Sequence, residues 1–153
     1  MAADHALALG RKPNRMTETT STEQNRSIIE GFYAAGSRGD IETMIGYLAD
    51  DVVIHEPSYL PFGGEYRGKD GLAAIYAAVA QLADVTQFKI HSVMVDGERG
   101  VAFGGYPLTD TGQFTLFAEE TRLEEGKIAE IRIYYHDAQS LIGSADARAA
   151  TRR

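Results

Sequence analysis

Apolar residues recur at helical spacing three times along this chain, and from the late eighties onward they alternate with polar ones. Ile28, Ile29, Phe32, Tyr33 and Gly36 form one stripe, the period of an amphipathic helix over 23–38. Ser21 with Gln24 makes a capping box that sets its start. Gly39 stops that helix, and Asp40 caps a second whose buried face is Ile41, Met44, Ile45 and Leu48. Asp50-Asp51 predicts a turn into a strand over 52–56. The longest irregular segment, 57–68, follows, punctuated by Pro57, Pro61, Gly63, Gly64 and Gly68. Leu72, Ile75, Tyr76 and Val79 then predict a third helix over 69–83. The rest reads as strands over 87–95, 101–108, 114–123 and 128–136. Their turns are Asp96-Gly97, Asp110-Thr111-Gly112 and the tight hairpin Glu124-Glu125-Gly126-Lys127.

Helices come first and strands afterwards, which is the α+β signature rather than alternating β-α-β. The pattern predicts one folded domain over 23–141. Residues 1–22 are expected to be a flexible N-terminal tail, and 142–153 a C-terminal tail that adds a helical turn or stays loose.

Composition narrows the function classes. At 153 residues the chain holds one core and is too short for two ordinary domains. A formal net charge of -7 argues against nucleic acid and against an anionic membrane surface. With no cysteine there is no disulfide, thiol nucleophile or thiolate metal site. No apolar run approaches the roughly 20 residues that span a bilayer, and a cytoplasmic protein is the default.

Several segments carry a resemblance. They are Phe32-Tyr33-Ala34-Ala35 with Arg38-Gly39-Asp40-Ile41, and Leu48-Ala49-Asp50-Asp51-Val52 leading to His55-Glu56-Pro57. Tyr66-Arg67-Gly68-Lys69-Asp70-Gly71, Gly126-Lys127-Ile128 and the run from Arg132 to Asp137 complete the set. Together, over 24–141, they resemble the nuclear transport factor 2-like superfamily, in its SnoaL-like and ketosteroid-isomerase-like branch. The resemblance implies a cone-shaped roll in which three N-terminal helices pack on a curved, antiparallel-rich sheet (cystatin-like). It leaves the reaction open, because the fold hosts isomerases, cyclases, dehydratases, epoxide hydrolases and binding modules.

In ketosteroid isomerases the general base is an aspartate just before a proline; the matching position is Glu56. A second acid, kept protonated so that it can donate to an oxyanion, falls on Glu119. The third member, a tyrosine on the first helix, falls on Phe32, which has no donor. Tyr33 beside it points about 100° away around a helix.

The residues themselves leave choices open. Glu56 either shares an inward face with Val52 and Ile54 or, if Val53 and His55 face inward, is solvated. Glu119 shares a face with Phe117, Thr121 and Leu123, and Glu120 shares the opposite one with Leu116, Ala118 and Arg122. Both faces carry apolar residues, so period two does not choose between them. Glu119 either lines the pocket or joins an outward ion pair, with Arg132 a partner. Ile131, Ile133 and Tyr135 alternate inward, so the Tyr135 hydroxyl is either a donor to substrate or a satisfied core group. His55 and His91 are acid–base candidates or structural histidines. His136 and Asp137 leave the strand on opposite faces and form no dyad. Asp137 matches an acid that often closes this strand in SnoaL-like proteins. The four histidines lack ligand spacing, and no metal site is expected. The apolar loop Tyr59-Leu60-Pro61-Phe62 is either a lid over the pocket or an edge packed on another subunit.

The expected activity is that of a cofactor-free acid–base enzyme, an isomerase, cyclase or dehydratase. Its substrate would be a small apolar oxygenated molecule such as a polyketide, terpenoid or steroid-like ketone. Glu56 would serve as base, and Glu119 or Tyr135 would polarise the carbonyl. Phe32, Tyr33, Ile54, Tyr59, Phe62, His91, Phe117, Ile131, Ile133 and Asp137 would line the pocket. A non-catalytic binding module and an epoxide hydrolase are the alternatives. The apolar residues Phe114, Leu116 and Ala118 on the outer sheet face point to a homodimer.

Overall fold

The computed structural model describes residues 15–152. The elements run α1 (Arg15–Ser37), α2 (Ile41–Gly46), β1 (Leu48–Glu56), β2 (Gly64–Arg67) and α3 (Gly68–Val79). A 3₁₀ turn at Val85–Gln87 leads to β3 (Lys89–Asp96), β4 (Arg99–Pro107), β5 (Phe114–Glu124), β6 (Lys127–Tyr135) and α4 (Ala138–Thr151). The strands form one six-stranded sheet in the order β2-β1-β6-β5-β4-β3. Only the β1–β6 pair is parallel. The helices pack on the sheet, α1 against β3 and α3 against β1 and β2, which makes the α+β architecture that the pattern predicts.

Two devices set which side chains reach the space between helices and sheet. Glu125 and Gly126 both have positive φ (49° and 73°), the conformation of a type I′ hairpin whose twist suits two strands. Beyond it the β5–β6 register slips by one residue between Arg122 and Leu123. A one-residue slip exchanges the faces of a strand. Hence Ile128 is buried at one end of β6 while Ile131 and Ile133 are buried farther along. Gly100 is the second device: a Cβ there would lie 2.4 Å from the Ile29 side chain. That close approach seats α1 on the sheet, with Phe32 and Tyr33 about one turn farther along.

Several boundaries differ from the sequence-based expectation. α1 begins at Arg15, so Ser21 lies inside the helix and caps nothing. No proline interrupts the chain between Pro13 and Pro57. The first turns are tied to the β3–β4 turn as well: Asn25 donates to the Gly97 carbonyl (2.8 Å), the Gly97 amide donates to Thr22 (3.2 Å), and Arg26 donates to the Val93 carbonyl (2.8 Å). Residues 1–14 of the expected tail lie outside the described residues. Asp50 and Asp51 are exposed residues of β1 rather than a turn, at a break in its register with β6. β2 stands where the pattern predicts loop, because it is a four-residue edge strand inside a proline- and glycine-rich stretch. α3 ends at Val79, four residues early. Residues 138–151 are a helix, with Leu141 fully buried and Ser144 hydrogen-bonded to Asp110 at 2.8 Å.

Candidate active site

Glu56 ends β1 on its inward face. Val52, Ile54 and Glu56 are buried, and Val53 and His55 are half-buried on the other side. His55 pairs with Glu130 at 3.1 Å and with Glu65 at 3.5 Å, so it belongs to the outer face.

Glu119 also points inward. In the sheet it lies opposite Ile133 of β6, and it is Glu120 that takes the outer face, bonded by Arg99 at 2.8 Å and by the Tyr134 hydroxyl at 3.2 Å. On the other side of β6, Ile54 pairs with Ile131 and His55 with Arg132, which brings Glu56 beside Ile133 as well. The two acids therefore flank one residue of the strand between them. Two strand spacings separate their backbones, roughly 9–10 Å.

Both carboxyls open on one cavity of about 90 Å³. Its walls include Phe32, Tyr33, Ile54, Ile131, Ile133 and Tyr135, as expected, and also Met44, Ile75, Tyr76, Phe88 and Tyr106. Among the described residues no lysine, arginine or histidine lines it. Tyr76, Val79, Val85 and Phe88 are only half-buried or exposed, so the mouth lies between the end of α3 and the 3₁₀ turn.

Burial is the first cause of the acids' behaviour. It pushes Glu56 up to about 8, with the charge of Glu119 adding to the rise and the Tyr135 hydroxyl opposing it. Burial also raises Glu119, to about 7, against the stabilising hydrogen bond from Tyr33. The two hydrogen-bond settings differ. Tyr33 donates to Glu119 Oε2 at 2.7 Å, a short and strong contact. Tyr135 donates to Glu56 Oε1 at 3.4 Å, and Tyr106 donates to Tyr135 at 3.2 Å, a long and weak chain. Glu56 Oε2 is buried with no partner among the described residues. A buried carboxylate oxygen without a donor holds a charge poorly. Burial raises both Tyr33 and Tyr135 well above the usual phenol value, so each stays a donor.

Tyr33 supplies the donor that Phe32 lacks. A step of about 100° still falls within the broad buried arc of α1, where Ile29, Phe32, Tyr33 and Gly36 are all buried. The two rings meet edge to face at 5.1 Å.

Five expected lining residues lie elsewhere. Tyr59 is 60% exposed and borders a separate groove, lined by His55, Pro57, Glu65 and Tyr134 and reached from the other side by Glu56, Ile133 and Tyr135. Phe62 is buried toward α3 and α4, its carbonyl held by Tyr66 at 2.6 Å. The cause is β2, which folds the 57–63 segment back on the sheet edge in tight turns and takes it off the cavity mouth. His91 is exposed on β3 against Phe114 of the outer face. Phe117 is buried behind the lining, stacked on Phe88 at 5.6 Å and tilted on Tyr106 at 5.8 Å. Asp137 caps α4, accepting from the Ser140 amide at 3.2 Å and hydroxyl at 2.6 Å, which hold its carboxyl below the ordinary range. Tyr106 joins the site without having been expected there, although Ala102, Gly104 and Tyr106 stand at period two on β4 and are all buried.

Comparison with known proteins agrees with this architecture. A family model described as a SnoaL-like domain matches residues 29–131. Among solved structures, an NTF2-like protein from Burkholderia xenovorans LB400 is 24% identical with a TM-score of 0.67, over 81% of this chain and 97% of that one. Bal32a, from a soil-derived mobile gene cassette, is 17% identical with a TM-score of 0.71, over 80% and 97%. TerC, co-crystallised with polyporic acid, is 22% identical with a TM-score of 0.66, over 78% and 98%. No curated relative matches the sequence.

Proposed function

The chain belongs to the SnoaL-like domain family of the NTF2-like superfamily, and on that premise we propose that it is a cofactor-independent acid–base enzyme acting beside the carbonyl of a small apolar molecule. One observation carries the reading: two inward glutamates share a cavity whose other walls, among the described residues, are aromatic and aliphatic side chains with no cation. Like charges at such a site do not both ionise readily. Near neutral pH the pair holds one proton and one charge. Glu119, bonded by Tyr33, keeps the charge, and the partnerless Oε2 of Glu56 keeps the proton.

That state suits enolisation. Glu119 removes a proton from the carbon beside the carbonyl, the electron pair moves to oxygen, and Glu56 donates its proton there. The enol then takes a proton back at another carbon, expels a β-hydroxyl as water, or attacks a second carbonyl. These are the isomerase, dehydratase and cyclase outcomes. The roles are the reverse of those implied by the resemblance, because Glu119 has the stronger hydrogen bond. Exchange of α-protons for deuterium on a panel of enolisable ketones tests the reading. It should follow a bell with limbs near 7 and 8. A rate that Glu56→Gln leaves unchanged contradicts it.

Binding without turnover is the competing reading, and ligand binding in the absence of any exchange would favour it. An epoxide-opening reaction has less support, since no arginine lines the cavity. On the outer face Phe103, Leu116 and Tyr134 are 38%, 43% and 50% exposed. We propose that a second copy covers them; a monomeric mass in light scattering contradicts this.

A further inference from the structure

The dimensions and charge of the cavity restrict what can enter it. Its free space is about 90 Å³, below the roughly 150 Å³ of an engineered apolar cavity that takes up benzene. A single ring already requires the mouth residues Tyr76 and Phe88 to give a little, and a fused multi-ring skeleton would extend past them out of the cavity. The charge balance is just as restrictive. A ligand carboxylate or phosphate would meet Glu56 and Glu119 with no cation among the described residues to receive it, and burying an unpaired anion beside a carboxylate is costly. One polar contact is left unfilled, at Glu56 Oε2, so a pure hydrocarbon would leave a buried polar atom unmet.

From these observations, and resting on the acid–base reading above, we propose that the physiological ligand is an uncharged, enolisable ketone of single-ring size with one carbonyl. Its carbonyl oxygen meets Glu56, and its ring packs against Tyr33, Phe88 and Tyr106. The steroid-like and polycyclic substrates expected from the sequence are then too large, and acidic metabolites and acyl phosphates are excluded by charge. Phe88 becomes a residue that sets ligand size, because it closes the wall at the mouth, stacked between Tyr33 and Phe117.

Ligand-observed NMR titration of the full chain tests this, with probes of matched shape: cyclohex-2-enone, cyclohexanecarboxylate, cyclohexylammonium and a tetracyclic ketone. The enone should bind at least about ten-fold more tightly than the carboxylate, reflecting the unpaired charge, and the tetracyclic ketone should not bind. A two-ring ketone should bind Phe88→Ala and not the parent chain. Tighter binding of the ammonium ion, binding of the tetracyclic ketone, or no binding of the enone at millimolar concentration overturns the proposal. Deuterium exchange on the bound enone separates the two ideas. Selective binding without exchange keeps the ligand class and removes the enzyme; exchange on a larger or charged ketone does the reverse.

Discussion

Glu119 and Glu120 are neighbours on β5, yet they have little in common beyond their chemistry. Glu120 faces outward into a lattice of charges, with Arg99 and Tyr134 bonded to it and Arg122, Glu130 and Arg132 close by. Glu130 in that lattice is held below the ordinary carboxylate range, chiefly by Arg122, with Arg132 and His55 helping. Glu119 faces inward, where no cation is present, and is raised by burial. The same contrast separates His55 from Glu56 on β1. One residue of register decides whether a carboxyl is a well-solvated partner in an ion pair or a desolvated acid poised near neutrality. The outer face is therefore built for stability, and the inner face is suited to proton transfer.

Several measurements would break or sharpen this contrast. The largest effect is expected from Glu56→Gln, which removes the proton donor while keeping its shape. The exchange rate should fall by about 10²–10⁴-fold, the range for a positioned acid or base, and a loss under about two-fold would place Glu56 outside the chemistry.

Next comes the pH dependence of stability. A Glu56 pKa of about 8 in the folded state, against the ordinary 4.5, means that the folded chain holds a proton the unfolded chain has released. Stability is then full below about 4.5 and falls as pH rises toward 8, by at most about 5 kcal/mol. Thermal melts from about pH 5 to 9 should show the decline, and Glu56→Gln should make it shallower, leaving the part below about pH 7 that the raised Glu119 contributes, so the inactive variant outlasts the parent at the alkaline end. Parallel curves for the two chains would contradict the burial account.

Tyr33→Phe tests the inner hydrogen bond on its own. Without the donor, Glu119 should titrate higher, moving the acid limb of the exchange profile up by about one unit for a charge-assisted bond. An unmoved limb would show that Tyr33 only packs.

The smallest effect belongs to the outer face. Glu130→Gln breaks contacts to Arg122, Arg132 and His55, yet exposed pairs contribute about 1 kcal/mol or less. Chemical denaturation should register that modest change while the exchange rate stays within about two-fold of the parent. A large activity loss here would erase the distinction between the faces.

Much of this arrangement is legible in the sequence, and the failures have physical causes. Glu56 is nominated by the resemblance, at the position before Pro57, while alternation leaves its face open because Val53 and His55 offer the opposite reading. Glu119 is not separable from Glu120 by pattern, since both faces of β5 carry apolar side chains. The structure explains why: Leu116 and Tyr134 are exposed apolar residues on the outer face, alongside the half-buried Ala118. The register slip in β6 is likewise invisible to a strict period of two. The 57–63 loop is misplaced by pattern alone because the short edge strand β2, which turns it away, has no hydrophobic alternation of its own. Tyr33 is undervalued when helical geometry is read as a narrow line, whereas the buried arc of α1 is wide enough for two adjacent residues.

The central claim is that Glu56 and Glu119 share a proton in one desolvated cavity at neutral pH. Carbon-13 NMR titration of side-chain-carboxyl-labelled glutamate tests it most directly. The account predicts two resonances that titrate together with apparent values near 7 and 8, one lost in Glu56→Gln and the other in Glu119→Gln. If every glutamate carboxyl titrates near the ordinary value of about 4.3, the cavity is not desolvated and the acid–base account fails.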